Sequence, residues 1–186
     1  LAAFAFARLK FPGRDIMFGI WLACLMIPPQ VLIIPLYGFY SNLGWINSHL
    51  PLIVPNFFGG AFGTFLLRQF FMTMPSEFDD AATIEGASKL QIYWHIYMPI
   101  SKPAIATLGV FVFMTNWNDL LGPIIYLSTY KKMTLSEGLA FFRGQYMTDW
   151  PLLMAGALIS ILPIAIIYIF AQRYFVQSVA MSGIKG

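Results

Sequence analysis

Residues 74–103 read MPSEFDDAATIEGASKLQIYWHIYMPISKP, a long polar interval in a chain that is otherwise strongly apolar. Ser76 followed by Asp79 is an S-x-x-D start signal, a near relative of the capping box. Glu77, Asp79 and Asp80 fall in the first turn, where the helix dipole favours negative charge. Ala81 and Ala82 are strong helix formers. Gly86 then interrupts the run; having no Cβ, it permits a bend or a close approach by another surface. A second helical run follows over Lys89 to Met98, with Leu90, Tyr93, Trp94 and Tyr97 at helical spacing. Pro99 is expected to end it and Pro103 to open the next helix. The stretch predicts two short helices joined near Gly86 and lying beside a membrane. With Ala81, Ala82 and Ala87 in place of large side chains, the first would hold poorly to lipid and suits a groove on a protein.

The membrane is implied by what flanks this interval. Hydrophobic residues make up 59% of the 186 and charged residues 10%, against about 25% charged in a soluble domain. No Asp, Glu, Lys or Arg occurs from Ile16 to Leu67, or from Pro151 to Gln172. A transmembrane helix needs about 20 mostly apolar residues. Four spans are expected, over Ile16–Tyr37, Leu50–Phe71, Pro103–Leu127 and Pro151–Phe175. Leu1–Ala7 is too short for a span or a signal peptide. It reads as the cytoplasmic end of a helix that starts outside this sequence, or as a short interfacial segment. The expected fold class is an all-α integral membrane protein, a polytopic helical bundle forming a single domain over 1–186.

Orientation follows from Lys and Arg. Taking alternate connections, eight fall on one side and three on the other. The richer side, which holds 72–102 and the C-terminus, is expected to be cytoplasmic. The opposite loop, Ser128–Asp149 with Trp150 after it, carries Tyr130, Phe141, Phe142 and Tyr146. These suit either a membrane-interface belt or contact with a soluble partner.

Several polar and special residues lie inside the expected spans. An acid at mid-membrane costs about 2.5–3.5 kcal/mol, so Asp119 should face the bundle or a wet cavity. Asn116, Asn118 and Gln30 are its companions as candidates for a translocation path; a purely structural polar cluster is the other reading. Pro28, Pro29, Pro35, Pro55, Pro123 and Pro163 suggest kinks, tolerated where neighbouring helices satisfy freed carbonyls. Gly59 and Gly63, four apart, suggest close helix packing.

Other chemistries find little support. A net charge of +3 without a basic stripe argues against nucleic acid. Cys24 is the single cysteine, so neither an internal disulfide nor a thiolate metal cluster is expected. His49 and His95 stand without visible catalytic partners. With no G-x-x-x-x-G-K-[ST], ATP is expected to be bound by another polypeptide. No cofactor, no metal and no catalytic residue are expected in this chain.

Asp80-Ala81-Ala82, Gly86, Ile96 and Pro99 resemble the EAA motif of ABC importer permeases. That pattern is E-A-A, three residues, G, nine residues, I, one residue, L-P; Asp80 stands for Glu and Met98 for Leu. FLLRQFF at 65–71, NWND at 116–119, QRYF at 172–175 and SGIKG at 182–186 look like the maltose-type carbohydrate permeases. The likeness covers nearly the whole chain. It implies the type I importer permease fold, usually of six spans, so part of the domain would lie N-terminal to this sequence. It further implies that Asp80, Ala81, Ala82, Glu85 and Gly86, with Ile96 and Pro99, form a coupling contact to a cytoplasmic ATPase dimer that binds ATP and Mg. Gly183, Ile184, Lys185 and Gly186 would touch that same ATPase pair. A second permease, an extracytoplasmic solute-binding protein, a bacterial inner-membrane location and a sugar or oligosaccharide cargo are implied as well. A non-sugar cargo, an intramembrane enzyme using Asp119, Asn116 and Asn118, and an ATP-independent carrier are the competing readings.

Overall fold

The computed structural model describes the backbone of residues 1–142 and 148–182, with side chains as far as Gln172. Tyr146 and Gly183–Gly186 lie outside the described residues. The helices are α1 (Ala2–Arg8), α2 (Arg14–Ala23), α3 (Pro29–Asn42), α4 (Leu50–Ile53), α5 (Ala61–Met72), α6 (Glu77–Ile84), α7 (Lys89–Ile92), α8 (Met98–Ile100), α9 (Lys102–Trp117), α10 (Leu121–Tyr126), α11 (Leu135–Phe141) and α12 (Trp150–Ser182). Leu50–Met72 and Trp150–Gln172, each of 23 residues, are long and apolar enough to cross a membrane. Two bent pairs, Arg14–Met26 with Pro29–Asn42 and Lys89–Ile100 with Lys102–Trp117, bring the number to four if each pair is one span. Leu158, Ile159, Leu162, Ile166 and Phe170 on α12 all lie exposed. Apolar surface of that extent is rare on a soluble monomer and suits lipid.

Three expected spans are interrupted, each for a local reason. Ile27 and Pro28 both precede a proline, whose ring disfavours the helical region for the residue before it. Their ψ angles are 115° and 131°, both extended. The helix expected from Ile16 to Tyr37 therefore stops after a 3₁₀ turn at Cys24–Met26 and restarts as α3, with Pro29 at a position where no N–H is needed. The second span breaks at Gly59, which adopts φ +81° between a 3₁₀ segment, Val54–Phe58, and α5. Gly59 thus serves a left-handed turn and not the helix packing expected of it. Gly63 does pack: a Cβ there would sit 3.2 Å from Leu108 of α9. The third span ends α9 at Trp117 and restarts at Leu121. Asn118 donates back to the Met114 carbonyl at 2.8 Å, and Asp119 accepts the Gly122 N–H at 3.3 Å. Such local bonds compete with the helical ladder. The break also places Pro123 in the first turn of α10, where its missing N–H is harmless.

Residues 74–103 fold as two helical runs joined at Gly86, which takes φ +82°, but two details differ from expectation. Ser76 makes no side-chain cap. The capping box forms one element later, where Ser88 accepts the Gln91 N–H at 3.4 Å and Gln91 accepts the Ser88 N–H at 2.7 Å. Ser88→Ala is expected to lose about 1 kcal/mol, read as a lower thermal midpoint in detergent, while Ser88→Thr should keep most of it. Pro99 does not end the second run. A π turn over Tyr93–Tyr97 precedes it, and α8 carries on to Ile100. Widening the helix just before a proline relieves the clash of its ring with the preceding turn. The chain then bends by 76° into α9, beside buried Ser101, whose hydroxyl donates to the Tyr97 carbonyl at 2.6 Å.

The chain divides into two compact units. The first is built mainly of Leu1–Ile27 and Gly59–Gly109, the second of Pro28–Phe58 and Val110–Gln172. At the core of the first are Ala3 and Phe4 of α1, Phe71, Met74, Ala82, Ile92, Tyr93 and Tyr97. Phe4 lies 4.9 Å from Tyr97 and 5.4 Å from Tyr93 between ring centres, and Phe71 meets Tyr97 edge-on at 5.4 Å. In the second unit, Tyr40 stacks on Trp45 at 5.8 Å and meets Tyr126 edge-on at 5.4 Å. Asn47 fastens the adjoining loop: its amide donates to Thr129 at 2.8 Å, and its carbonyl accepts from Lys132 at 2.6 Å.

Candidate functional site

Helix α6 has two unlike faces. Ala82 is buried against the aromatic core and Asp79 is half-buried beside it, three residues apart and hence on one side. A methyl group at 82 lets the helix lie close on the core. Asp80, Ala81, Thr83, Ile84, Glu85 and Gly86 are all exposed. Ile84 is 87% exposed, an isolated large apolar side chain at the outer end of a polar helix. Sequence reasoning passed over it because it occupies one of the unspecified motif positions. Its signal was there: it is the one branched aliphatic residue among residues 75–88. A Cβ on Gly86 would have nothing within 4 Å, so within this chain only its left-handed backbone, φ +82°, favours the glycine. Ile96 is partly buried against the core, and Pro99 lines a separate shallow groove with Trp94 and Lys102. The motif therefore splits: Asp80, Ala81, Glu85 and Gly86 face outward, Ala82 and Ile96 seat the loop, and Pro99 stands apart.

Charged groups fix the seated face. The Tyr97 hydroxyl donates to Asp79 Oδ2 at 2.7 Å. Arg8, at the last turn of α1, places Nε 3.6 Å from the same oxygen, and its Nη2 donates to the Met74 carbonyl. The guanidinium lies over the Tyr97 ring, 5.2 Å from its centre. Burial, and then the bond to Asp79, pushes the Tyr97 hydroxyl far above the usual tyrosine range, so it stays a donor at physiological pH. A second arginine, Arg68 of α5, donates to the Phe6 carbonyl at 3.2 Å and covers the Phe18 ring at 4.1 Å.

In the second unit a cavity of about 470 Å³ is lined by His49, Leu52, Asn56, Phe57, Asn116, Asp119 and Thr134, among others. Asn56 and Asn116 each donate one N–H to a carbonyl of their own helical turn, Leu52 and Val112, at 2.7 Å. Each amide keeps its oxygen and second N–H for another partner. His49 is not without a partner, since Nε2 lies 2.9 Å from the Lys132 carbonyl. Of the expected path residues, Asn116 and Asp119 meet here. Asn118 and Gln30 do not line the cavity; Gln30 is exposed in the first turn of α3. Among the described residues no three His, Cys, Asp or Glu side chains come together as a metal site.

The model of the binding-protein-dependent transport system inner membrane component family matches residues 1–181. The chain belongs to that family of transporter permease components. It is 33% identical over its whole length to the probable ABC transporter permease protein YurM of Bacillus subtilis, covering 62% of that protein. It is 32% identical over its whole length to the arabinooligosaccharides transport system permease protein AraQ of Halalkalibacterium halodurans, covering 66%. Over 99% of the chain it is 36% identical to the osmoprotective compounds uptake permease protein GgtD of a Synechocystis species, covering 62%. The chain thus spans a little under two thirds of these relatives. The crystal structure of a bacterial ABC transporter involved in import of the acidic polysaccharide alginate has a chain that superposes with a TM-score of 0.79 at 24% identity, over 93% of this chain and 66% of that one. The fold is that of an ABC transporter permease.

Proposed function

We propose that this chain is part of the permease of a binding-protein-dependent ABC importer for a sugar or oligosaccharide. It would pass the work of ATP hydrolysis on a partner subunit to alternating access of a membrane path. The observation that carries this reading is the outward face of α6, a short helix seated on a rigid aromatic core with Asp80, Ala81, Ile84, Glu85 and Gly86 turned away from it. Helices offer such faces to grooves on a partner, and here the partner is a cytoplasmic ATPase dimer that holds ATP and Mg. Gly183, Ile184, Lys185 and Gly186 are assigned to the same ATPase pair, on a cytoplasmic C-terminus. A second permease completes the path, and a soluble extracytoplasmic protein delivers the cargo.

In the cavity of the second unit, Asn56, Asn116 and Asp119 with His49 and Thr134 stand against the apolar walls of Leu52 and Phe57. Amide and carboxylate groups set in apolar walls suit a cargo rich in hydroxyls, and AraQ, a relative, is named for arabinooligosaccharides. No residue here is assigned a catalytic role, and the chain acts as a transporter component, not as an enzyme. The test is to purify the whole transporter carrying Ile84→Asp. A buried charge at an apolar anchor should lower recovery of the ATPase subunit about tenfold or more. Full recovery together with ATP-driven uptake at the parental rate would overturn the docking face.

A further inference from the structure

We propose that Arg8 and Asp79, steadied by Tyr97, are positioning residues that make α1 travel with α6, so that motion imposed on α6 enters the membrane bundle through α1. This rests on the importer reading above. Helix α6 has little other hold on the first unit: its single buried residue is Ala82, and one methyl offers almost nothing to resist sliding. The polar side supplies that hold. Arg8 reaches the backbone just ahead of α6, at the Met74 carbonyl, and the carboxylate of its first turn, at Asp79. Tyr97 closes the group from the π turn, with its hydroxyl on Asp79 and its ring beneath the guanidinium. Two elements, α1 and the π turn, therefore converge on one carboxylate oxygen of a third, α6.

The setting makes the pair stiff. The Arg8 and Asp79 side chains are 13% and 18% exposed, so water screens them little. One turn earlier on α1, Phe4 lies in the aromatic cluster with Phe71, Tyr93 and Tyr97. Helix α1 is thus held to α6 by charge and to the core by packing. Pulling on α6 without moving α1 would strip a carboxylate and a guanidinium of each other in a partly buried site, at the edge of an open cavity that both line, which is unfavourable.

The experiment uses the complete transporter, cleared of native cysteines (Cys24→Ala in this chain) and carrying a reporter, Phe57→Cys, on the wall of the cavity. Its modification by a water-soluble maleimide is timed without nucleotide and after trapping with Mg-ATP and vanadate. In the parent the rate should differ between the two states by about tenfold, the scale of ordinary coupling between sites. Asp79→Asn, which keeps an acceptor for Tyr97, and Arg8→Gln should hold the ATPase and hydrolyse ATP, yet show almost no difference between the states. Arg8→Lys should recover part of it. A parental response in both variants overturns the proposal. So does a loss that merely tracks a lower thermal midpoint or release of the ATPase, because that is a structural effect. If the parent binds no ATPase and shows no response, the importer reading itself falls, and this one with it.

Discussion

Gly86→Glu is expected to strip the ATPase subunit from the purified transporter while leaving the membrane bundle folded. The backbone at 86 has φ +82°, where an L-residue with a Cβ costs about 1–2 kcal/mol. That is the whole local penalty, since a Cβ there meets nothing within 4 Å. Any larger consequence must come from a molecule that approaches the glycine from outside. A three-member series separates the causes. Gly86→Asn tolerates the left-handed conformation, Gly86→Ala adds only a methyl, and Gly86→Glu adds length and charge beside exposed Glu85. Thermal midpoints should fall slightly and by similar amounts for Ala and Glu, and least for Asn. ATPase recovery should follow side-chain bulk, and Glu should abolish it along with uptake. If recovery followed the midpoints and not the bulk, Gly86 would be a turn residue only.

Phe71→Ala is expected to cause the largest loss of stability of any single substitution in the first unit. Phe71 is 1% exposed and lies between Phe4, at 6.4 Å, and Tyr97, at 5.4 Å between ring centres. Truncating a buried phenylalanine costs about 3–5 kcal/mol, part of it from the cavity left behind. Phe71 stands at the end of α5 that leads into residues 74–103 and packs against the side chains of that loop, so the loss falls on protein packing and not on contact with lipid. Phe170→Ala on the exposed face of α12 is the control, expected within about 0.5 kcal/mol. Unfolding by denaturant in mixed micelles reads both. A Phe71→Ala midpoint equal to that of the control would mean the aromatic cluster does not hold α1, α5 and the coupling loop together. Because α6 sits on this cluster, the same variant should weaken ATPase recovery only in proportion to unfolding.

What could be read from the chain without coordinates was what depends on neighbours in sequence. The α6–Gly86–α7 unit follows from first-turn acids, alanines and one glycine, all within a few residues. The family resemblance, carried by residues 80–99, was equally local, and so was the apolar stock of the spans. Misses came where two local rules competed. Ser76 and Ser88 both offer a capping pattern, and only Ser88 sits in the extended conformation that a cap needs, with ψ 158°. The kink at Pro28–Pro29 was read from its prolines, and the chain does bend there; the break at Asn118–Leu120 was lost because averaging hydropathy over a window hides the back-bonding of Asn and Asp. The cavity was half legible. Asn116 and Asp119 stood out as polar residues in an apolar run, whereas His49, Asn56 and Thr134 join them only through chain reversals that no spacing encodes. The Arg8–Asp79–Tyr97 group was illegible for the same reason, although each of its members carries an ordinary sequence label.

The interruptions at Ile27–Pro28, Gly59 and Asn118–Leu120 have a consequence for wetting. Peptide groups at such joints lose their ladder partners, and hydrocarbon tails offer no substitute. Those joints are therefore barred from the acyl-chain side and must be served by protein or by a file of water. Hydration in this permease should concentrate at each of these three joints, against an otherwise oily exterior.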